Sequence, residues 1–406
     1  MALNSYQPGD LIINSMTIAG RTINSGFISG SIYESIFTPC VVAEFNVRDT
    51  DDALFAGLNL SGGEPFTVVF QAPGGQQASY KFLVNKVQNL APSAQYKSRT
   101  FTIICASEEV FYAAGGSDKY GYIQKSYSKR PISSDVQDVL KSYLKSSKRI
   151  NVEETKGVQD IIANNEKPWD FIDRLRRLAV SSKNQSSSYV FYENQHGFNF
   201  VTIESLFRNR AVKTFVQDAT VGTDITKLTD NNIFAYELPY MINAVDRIDR
   251  GTISSRFNYF NFHTNEYQSK TISFPDSRDK FGGAGSWNKQ SFFSKFGKYP
   301  GRTSTLPYDN RMPITNIPES TPNQLAYSGN LMQSLIKLRV FGDAKLKAGD
   351  LIEARIARQT SLTANPSQDT DISGNMIVAS LRHMINPEGE RPRYSCVMEC
   401  LKGTPT

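Results

Sequence analysis

The chain has 406 residues, 39% of them hydrophobic and 21% charged, which is long enough for two or three domains and too apolar for disorder. With 19 Tyr and 25 Phe but only 27 Gly and 18 Pro, the composition favours β-structure and excludes collagenous, coiled-coil and helical-repeat classes. The 45 Lys and Arg against 39 Asp and Glu leave a net charge of +6; the densest basic stretches, Lys125 to Lys148 and Arg174 to Arg177, fall on predicted helices and read as solvated faces.

From Leu11 to Tyr112 short apolar runs alternate with turn residues. Leu11 to Ala19, Ile28 to Phe37, Pro39 to Val47, Pro65 to Phe70, Tyr80 to Val87 and Arg99 to Ala106 are rich in Ile, Val, Phe and Thr. The glycines of 19–21, 61–63 and 73–75 permit tight turns between them. This predicts an all-β unit, a barrel or a sandwich.

After the Ala-Ala-Gly-Gly of 113–116 the texture becomes helical. Ser134 followed by Gln137 predicts a capped helix start, with Val136, Val139, Leu140, Tyr143 and Leu144 on one buried stripe. A second helix is expected to start at Pro168, with Trp169, Ile172, Leu175 and Ala179 inward and Arg174, Arg176 and Arg177 beside them. Tyr189 to Glu193 and Phe198 to Ile203 predict a hairpin turning at Asn194, Gln195, His196 and Gly197.

Strand character returns from Ile233 to Phe274, broken at Asp249 to Gly251. Residues 275–330 carry Gly282, Gly283, Gly285 and a scatter of prolines with little periodicity, which predicts a loop-rich insertion. Gln324 to Lys337 reads as a helix, with Leu325, Leu331, Leu335 and Ile336 as contacts. Leu338 to Phe341, Leu351 to Ile356, Asn375 to Met384 and Tyr394 to Leu401 close the chain as strands.

Templates for catalysis fail by residue type and spacing. The sequence has no phosphate loop, no dinucleotide fingerprint, no His-Glu-x-x-His and no Gly-x-Ser-x-Gly. His196, His263 and His383 lie far apart in sequence. Cys396 and Cys400, on one strand face, would be about 13 Å apart, too far to share a metal; they read as buried small hydrophobes. Glu108 with Glu109, and Glu153 with Glu154, would point to opposite faces of a strand and read as solvated charge rather than a glycosidase pair. Arg382 and His383 alternate as an ordinary half-buried strand. No catalytic, cofactor-binding or metal-ligating residue is assigned, and no cofactor is expected. Cys40, Cys105, Cys396 and Cys400 form no short-spaced framework, so a reducing compartment is expected. The first residues lack the features of a signal peptide, and no apolar run approaches the ~20 residues of a membrane span.

Three groups of segments carry a family resemblance. The first is Ser31-Ile-Tyr-Glu-Ser-Ile-Phe-Thr-Pro, then Ala43 to Asp49, Leu58 to Glu64 and Phe66 to Phe70. The second is Pro168-Trp-Asp-Phe-Ile-Asp-Arg-Leu-Arg-Arg-Leu-Ala with Tyr189 to Phe200. The third is Leu338 to Asp343 and Leu346 to Ile352, then Ser373 to His383 and Tyr394 to Leu401. Their succession resembles the baseplate hub proteins of contractile phage tails, related to the hub part of type VI secretion spikes.

The resemblance implies an α+β, mainly β fold with two tail-tube-like β-barrels, 1–116 and 233–274 with 331–406. An α/β unit, 117–232, lies between them, and the insertion is 275–330. It also implies a structural, non-enzymatic protein of the virion tail baseplate, assembled in the bacterial host cytoplasm. The protein would be a homotrimer joining a central spike to the tail tube, with baseplate wedge neighbours and DNA passing its channel without specific binding. Three chains with two barrels each would match a six-fold tube to a three-fold spike. A strongly basic channel would retain DNA, so channel-facing positions are expected to be neutral or acidic, with Lys141, Lys145 and Arg177 outside. Two alternatives are a tail-associated peptidoglycan hydrolase and a receptor- or carbohydrate-binding tail protein using Trp287, Phe292, Phe293 and Phe296.

Overall fold

A computed structural model of the chain describes residues 7–50, 60–73, 77–92, 98–115, 121–217, 229–239, 244–273, 298–308, 335–358, 368–390 and 392–402, with a few isolated positions between them. The protein is mainly β. Seven strands come from the first part of the chain: β1 (Ile12–Ile18), β2 (Arg21–Thr22), β3 (Phe27–Ser35), β4 (Val42–Thr50), β5 (Pro65–Gln71), β6 (Gln77–Pro92) and β7 (Ser98–Ala106). Their alternation sets the inner face: Ala43, Phe45 and Val47 on β4 and Phe66, Val68 and Phe70 on β5 are buried, while the residues between them are at least partly exposed.

The middle of the chain follows a different period. A short helix, α1 (Glu108–Ala113), leads to β8 (Ile123–Arg130) and α2 (Ile132–Asp138), which runs on through a wider π-helical turn, Val139–Tyr143. Then come β9 (Arg149–Val152), β10 (Gln159–Glu166), α3 (Pro168–Leu178), the hairpin strands β11 (Tyr189–Asn194) and β12 (Gly197–Thr202), and α4 (Ile203–Phe207). The predicted stripe Val136, Val139, Leu140, Tyr143 and Leu144 is buried, as are Ile172, Leu175 and Ala179, while Trp169 is half-buried. The first helix starts two residues earlier than its capping signal, at Ile132 after Pro131, and no side chain caps it. Proline pre-sets the entry dihedral without a cap. Pro168 opens α3 as expected.

The remaining strands are β13 (Thr214–Val216), β14 (Ile233–Glu237), β15 (Ser254–Asn261), β16 (Glu266–Ser273), β17 (Arg302–Tyr308), β18 (Leu335–Phe341), β19 (Leu351–Arg355), β20 (Gly374–Ile385) and β21 (Tyr394–Lys402), with α5 (Ala244–Asp249) before β15. Three expectations are corrected here. Leu335 to Lys337 open a strand rather than end a helix, because Ile336 and Leu338 alternate inward beside Cys400 and Met398 of β21. The insertion contains an ordered strand, β17, which runs parallel to β15. The stretch Ser254 to Ser273, expected in the second barrel, forms with β17 a separate three-stranded sheet. The cluster Gly282 to Gly285 and the aromatics Trp287, Phe292 and Phe293 lie outside the described residues.

The first seven strands and β13, β14 and β18–β21 join in one thirteen-stranded sheet among the described residues, ordered β14-β18-β21-β20-β3-β4-β7-β6-β5-β1-β2, with β19 and β13 branching from β20. No barrel closes among them. The two groups meet in one antiparallel pairing, β3 with β20, from Gly30 opposite Ile385 to Ser35 opposite Ser380. One continuous core runs across this seam. The hairpin β11–β12 is buried on both faces: Tyr189 and Phe191 face α2 and α3, whereas Val190 and Tyr192 pack with Ile36, Ile377, Ala379 and Leu401 of the large sheet.

Phe45 sits at the centre of the large core, stacked on Phe66 at 4.7 Å and edge-on to Phe27 at 6.1 Å. Phe45→Ala is expected to cost about 3–5 kcal/mol in denaturant unfolding, while Phe37→Ala, at a side chain 48% exposed, should cost less than about 1 kcal/mol.

Candidate functional site

The strongest concentration of buried polar chemistry lies where the three parts of the chain meet. Glu34 stands on β3 in the seam, opposite Leu381, and is 1% exposed. Its Oε1 accepts hydrogen bonds from Tyr80 Oη at 3.1 Å and from the Gln195 amide of the hairpin turn at 2.8 Å. Its Oε2 accepts from the Ala348 amide, in the loop before β19, at 2.9 Å. One carboxylate therefore ties four segments. Burial pushes its carboxyl up to about 7, against the opposing pull of the Ala348, Tyr80 and Gln195 donors.

A second knot lies on the same hairpin. Glu193 Oε2 accepts from the Val41 amide at 3.0 Å and from Ser107 Oγ at 2.5 Å, and its Oε1 pairs with Lys148 Nζ at 2.5 Å. Lys148 also reaches Glu109 at 2.6 Å. Burial alone would lower the Lys148 ammonium, but Glu193 and Glu109 hold it above its ordinary value. Next in the chain, Asn194 donates to the Ala348 carbonyl at 3.0 Å.

The hairpin turn makes this possible. Gly197 has φ +122, and a Cβ there would come within 2.2 Å of the Arg149 carbonyl, so only glycine fits. Across from it, Gly349 (φ +90) approaches Tyr192 so closely that a Cβ would lie 2.0 Å from its hydroxyl. Between these walls lies a polar cleft of about 200 Å³ lined by Arg149, Asn199, His196, Lys347 and Asp350 among others.

Several sequence expectations resolve here. Glu109 is not solvated: it lies in the first turn of α1 rather than on a strand, and its carboxylate is buried against Lys148. Glu153 is likewise buried, accepting from the Thr202 amide at 2.9 Å and Ser181 Oγ at 2.5 Å, whereas Glu154 is exposed. His383 is fully buried, with Nδ1 2.9 Å from Tyr394 Oη and 3.4 Å from Cys396 Sγ. Burial pushes its imidazole down to about 4, so it is neutral, and Arg382 points to the opposite, exposed face. Cys396 and Cys400 are buried thiols. Phe296, the one described member of the aromatic group in the insertion, is 38% exposed. Lys141, Lys145 and Arg177 are exposed.

Among the described residues no three His, Cys, Asp or Glu converge to hold a metal, and no helix is long and apolar enough to cross a membrane. The sequence reading missed Glu34, Glu193 and Lys148. Glu34 had a signal: it shares the inward, period-two face of Ile32. Lys148 had none, since its partners lie 39 and 45 residues away.

The fold so described is a large β-sheet built from two ends of the chain, with an α/β unit buried against it. No family model and no curated protein matches the sequence. Among solved structures, a tail protein from Neisseria meningitidis MC58 is similar with a TM-score of 0.61 at 11% identity, over 97% of this chain and 96% of that one. The 43 kDa tail protein of prophage MuSo2 from Shewanella oneidensis is similar with a TM-score of 0.56 at 12% identity, over 97% and 98% of the two chains. A component of the E. coli type VI secretion system aligns with a TM-score of 0.49 at 7% identity, over 97% and 77% of the two chains. The resemblance to phage tail proteins is thus met at the level of fold.

Two predictions follow from the knots. Because Glu34 is raised from 4.5 to about 7, the fold binds its proton more tightly than the unfolded chain does. Its contribution is favourable below about pH 4.5 and is lost as pH rises through about 7, on the order of 3 kcal/mol in all. Glu34→Gln should flatten the fall in unfolding free energy between pH 5 and 7.5; an unchanged slope would refute the assignment. Lys148→Met leaves Glu109 and Glu193 facing each other without a cation and should cost about 3–5 kcal/mol, partly recovered when Glu193→Gln is added.

Proposed function

We propose that the protein is the structural hub of a contractile phage tail baseplate. In this reading it forms a homotrimeric, pseudo-six-fold ring between a central spike and the tail tube. The observation that supports it best is the shared fold with two phage tail proteins, end to end along the chain. The strands within 1–116 and those of 233–237 and 335–402 make up the two sides of one sheet, and in this reading each side serves as one tube-like half. The hairpin of the middle unit packs against both, and the separate sheet within 254–308 would be available for spike or wedge contacts.

The physical argument is one of symmetry. A ring of three chains offers six similar sheet units to a tube and three equivalent surfaces to a spike. The work of such a protein is matched interfaces rather than a reaction, and the buried knots keep the two halves in fixed register. DNA would pass through the ring without specific binding. The site of action is the virion tail.

Images of the purified protein are expected to show three-fold rings with six peripheral lobes and a central hole. Compact monomers at micromolar concentration, or cell-wall hydrolysis lost on changing one carboxylate, would overturn the reading.

A further inference from the structure

The polar cleft in front of the Glu34 junction has no task in the hub reading. Its two walls are the hairpin turn at Gln195 and the loop at Ala348, the same backbone segments that Glu34 holds together. They are fixed by close approach, since Gly197 and Gly349 have no room for a side chain. The cleft is therefore a preformed depression.

Its charge is unbalanced. Lys347 Nζ lies 2.9 Å from Asp350 Oδ1, so that pair cancels. Asn151 and Asn199 are occupied with each other at 3.1 Å. Arg149 lines the cleft, is exposed, and has no ion-pair partner among the described residues. His196 is exposed beside it, its backbone amide held by Asn194 Oδ1 at 3.0 Å. The uncompensated groups are thus one guanidinium, on β9, and one imidazole, in the hairpin turn directly before Gly197, which pairs in register with Arg149.

We propose that this cleft receives the carboxylate of an acidic side chain presented by another protein chain, with Arg149 as its ion-pair partner and His196 as a second donor. A guanidinium fork matches a carboxylate in two hydrogen bonds. The volume of about 200 Å³ holds one side chain and falls below the roughly 300–1,000 Å³ of sites that enclose whole small molecules. This recognition stands whether or not the assembly is a tail hub.

The site carries its own signature. Partial desolvation of the ring against the cleft wall, then Lys347 and Arg149, hold the His196 imidazole below its ordinary value, opposed by Asp350. A bound carboxylate offsets the two cations, so His196 takes up a proton on binding. Affinity therefore rises as pH falls through the imidazole range, until the ligand's own carboxyl titrates near ~4.3.

The test uses the full chain and the histidine ring resonances, which only His196, His263 and His383 contribute. A blocked Gly-Glu-Gly-Glu-Gly peptide is titrated at pH 6 and pH 8, beside its Gln counterpart, inorganic phosphate and N-acetylglucosamine. The expected result is a saturable shift of the His196 signal with the Glu peptide, tighter at pH 6. Arg149→Gln should weaken it about tenfold or more with an unchanged unfolding midpoint. No His196 shift at millimolar peptide, equal binding of the Gln peptide, or binding of phosphate or sugar in preference to the Glu peptide would each overturn the proposal. Failure here leaves the ring images untouched, and monomeric images leave this titration untouched.

Discussion

The structure depends on joining strands some 350 residues apart in one ladder, β3 against β20. Such a pairing gains its hydrogen bonds only after a very long loop has been closed. The seam is accordingly reinforced from several directions. Ser35 and Ser380 meet hydroxyl to hydroxyl at 3.1 Å, and Arg382 reaches Ser31 at 3.1 Å and lies over Tyr33. Glu34 then brings the hairpin turn and the loop before β19 onto the same point.

A buried carboxylate is an expensive way to hold segments together, because desolvation opposes its charge. Its advantage is directional. Two backbone amides and one phenol converge on Glu34, and an apolar side chain would leave all three unsatisfied in the interior. Burial acts in the same way on Glu193, whose carboxyl is raised despite Lys148 and Ser107. These groups trade stability for register, which suits a protein whose proposed task is to present two sheet units at a fixed angle. The hairpin β11–β12 is the mechanical link, since its alternate residues serve two cores at once.

Much of the fold could be read along the chain because strand formation here is a local matter of alternation. The strands from β3 to β7 and from β18 to β21 match runs of inward apolar residues, and Pro168 marks its helix. The failures share one cause. Glu109 and Glu153 resemble solvated pairs in sequence, but tertiary contacts bring a lysine to one and hydroxyls and an amide to the other. Leu335 to Lys337 have helical spacing from Leu331 but strand neighbours in β21, and pairing overrode the local pattern. The separate sheet of β15–β17 depends on a parallel partner from a proline-scattered stretch that carries no periodic signal.

The sequence by itself determined the mainly β class and most strand positions, because these follow from side-chain period and turn chemistry over ten residues or so; the likeness to tail proteins came separately, as a family resemblance in the succession of its segments. It also excluded the familiar catalytic motifs. Only the tertiary structure decided that the two halves share one sheet, that Glu34, Glu193 and Lys148 form the joints, and that Arg149 and His196 border one cleft. Those facts rest on which distant segments come together, and that outcome is set by the summed packing of the whole chain rather than by any local stretch.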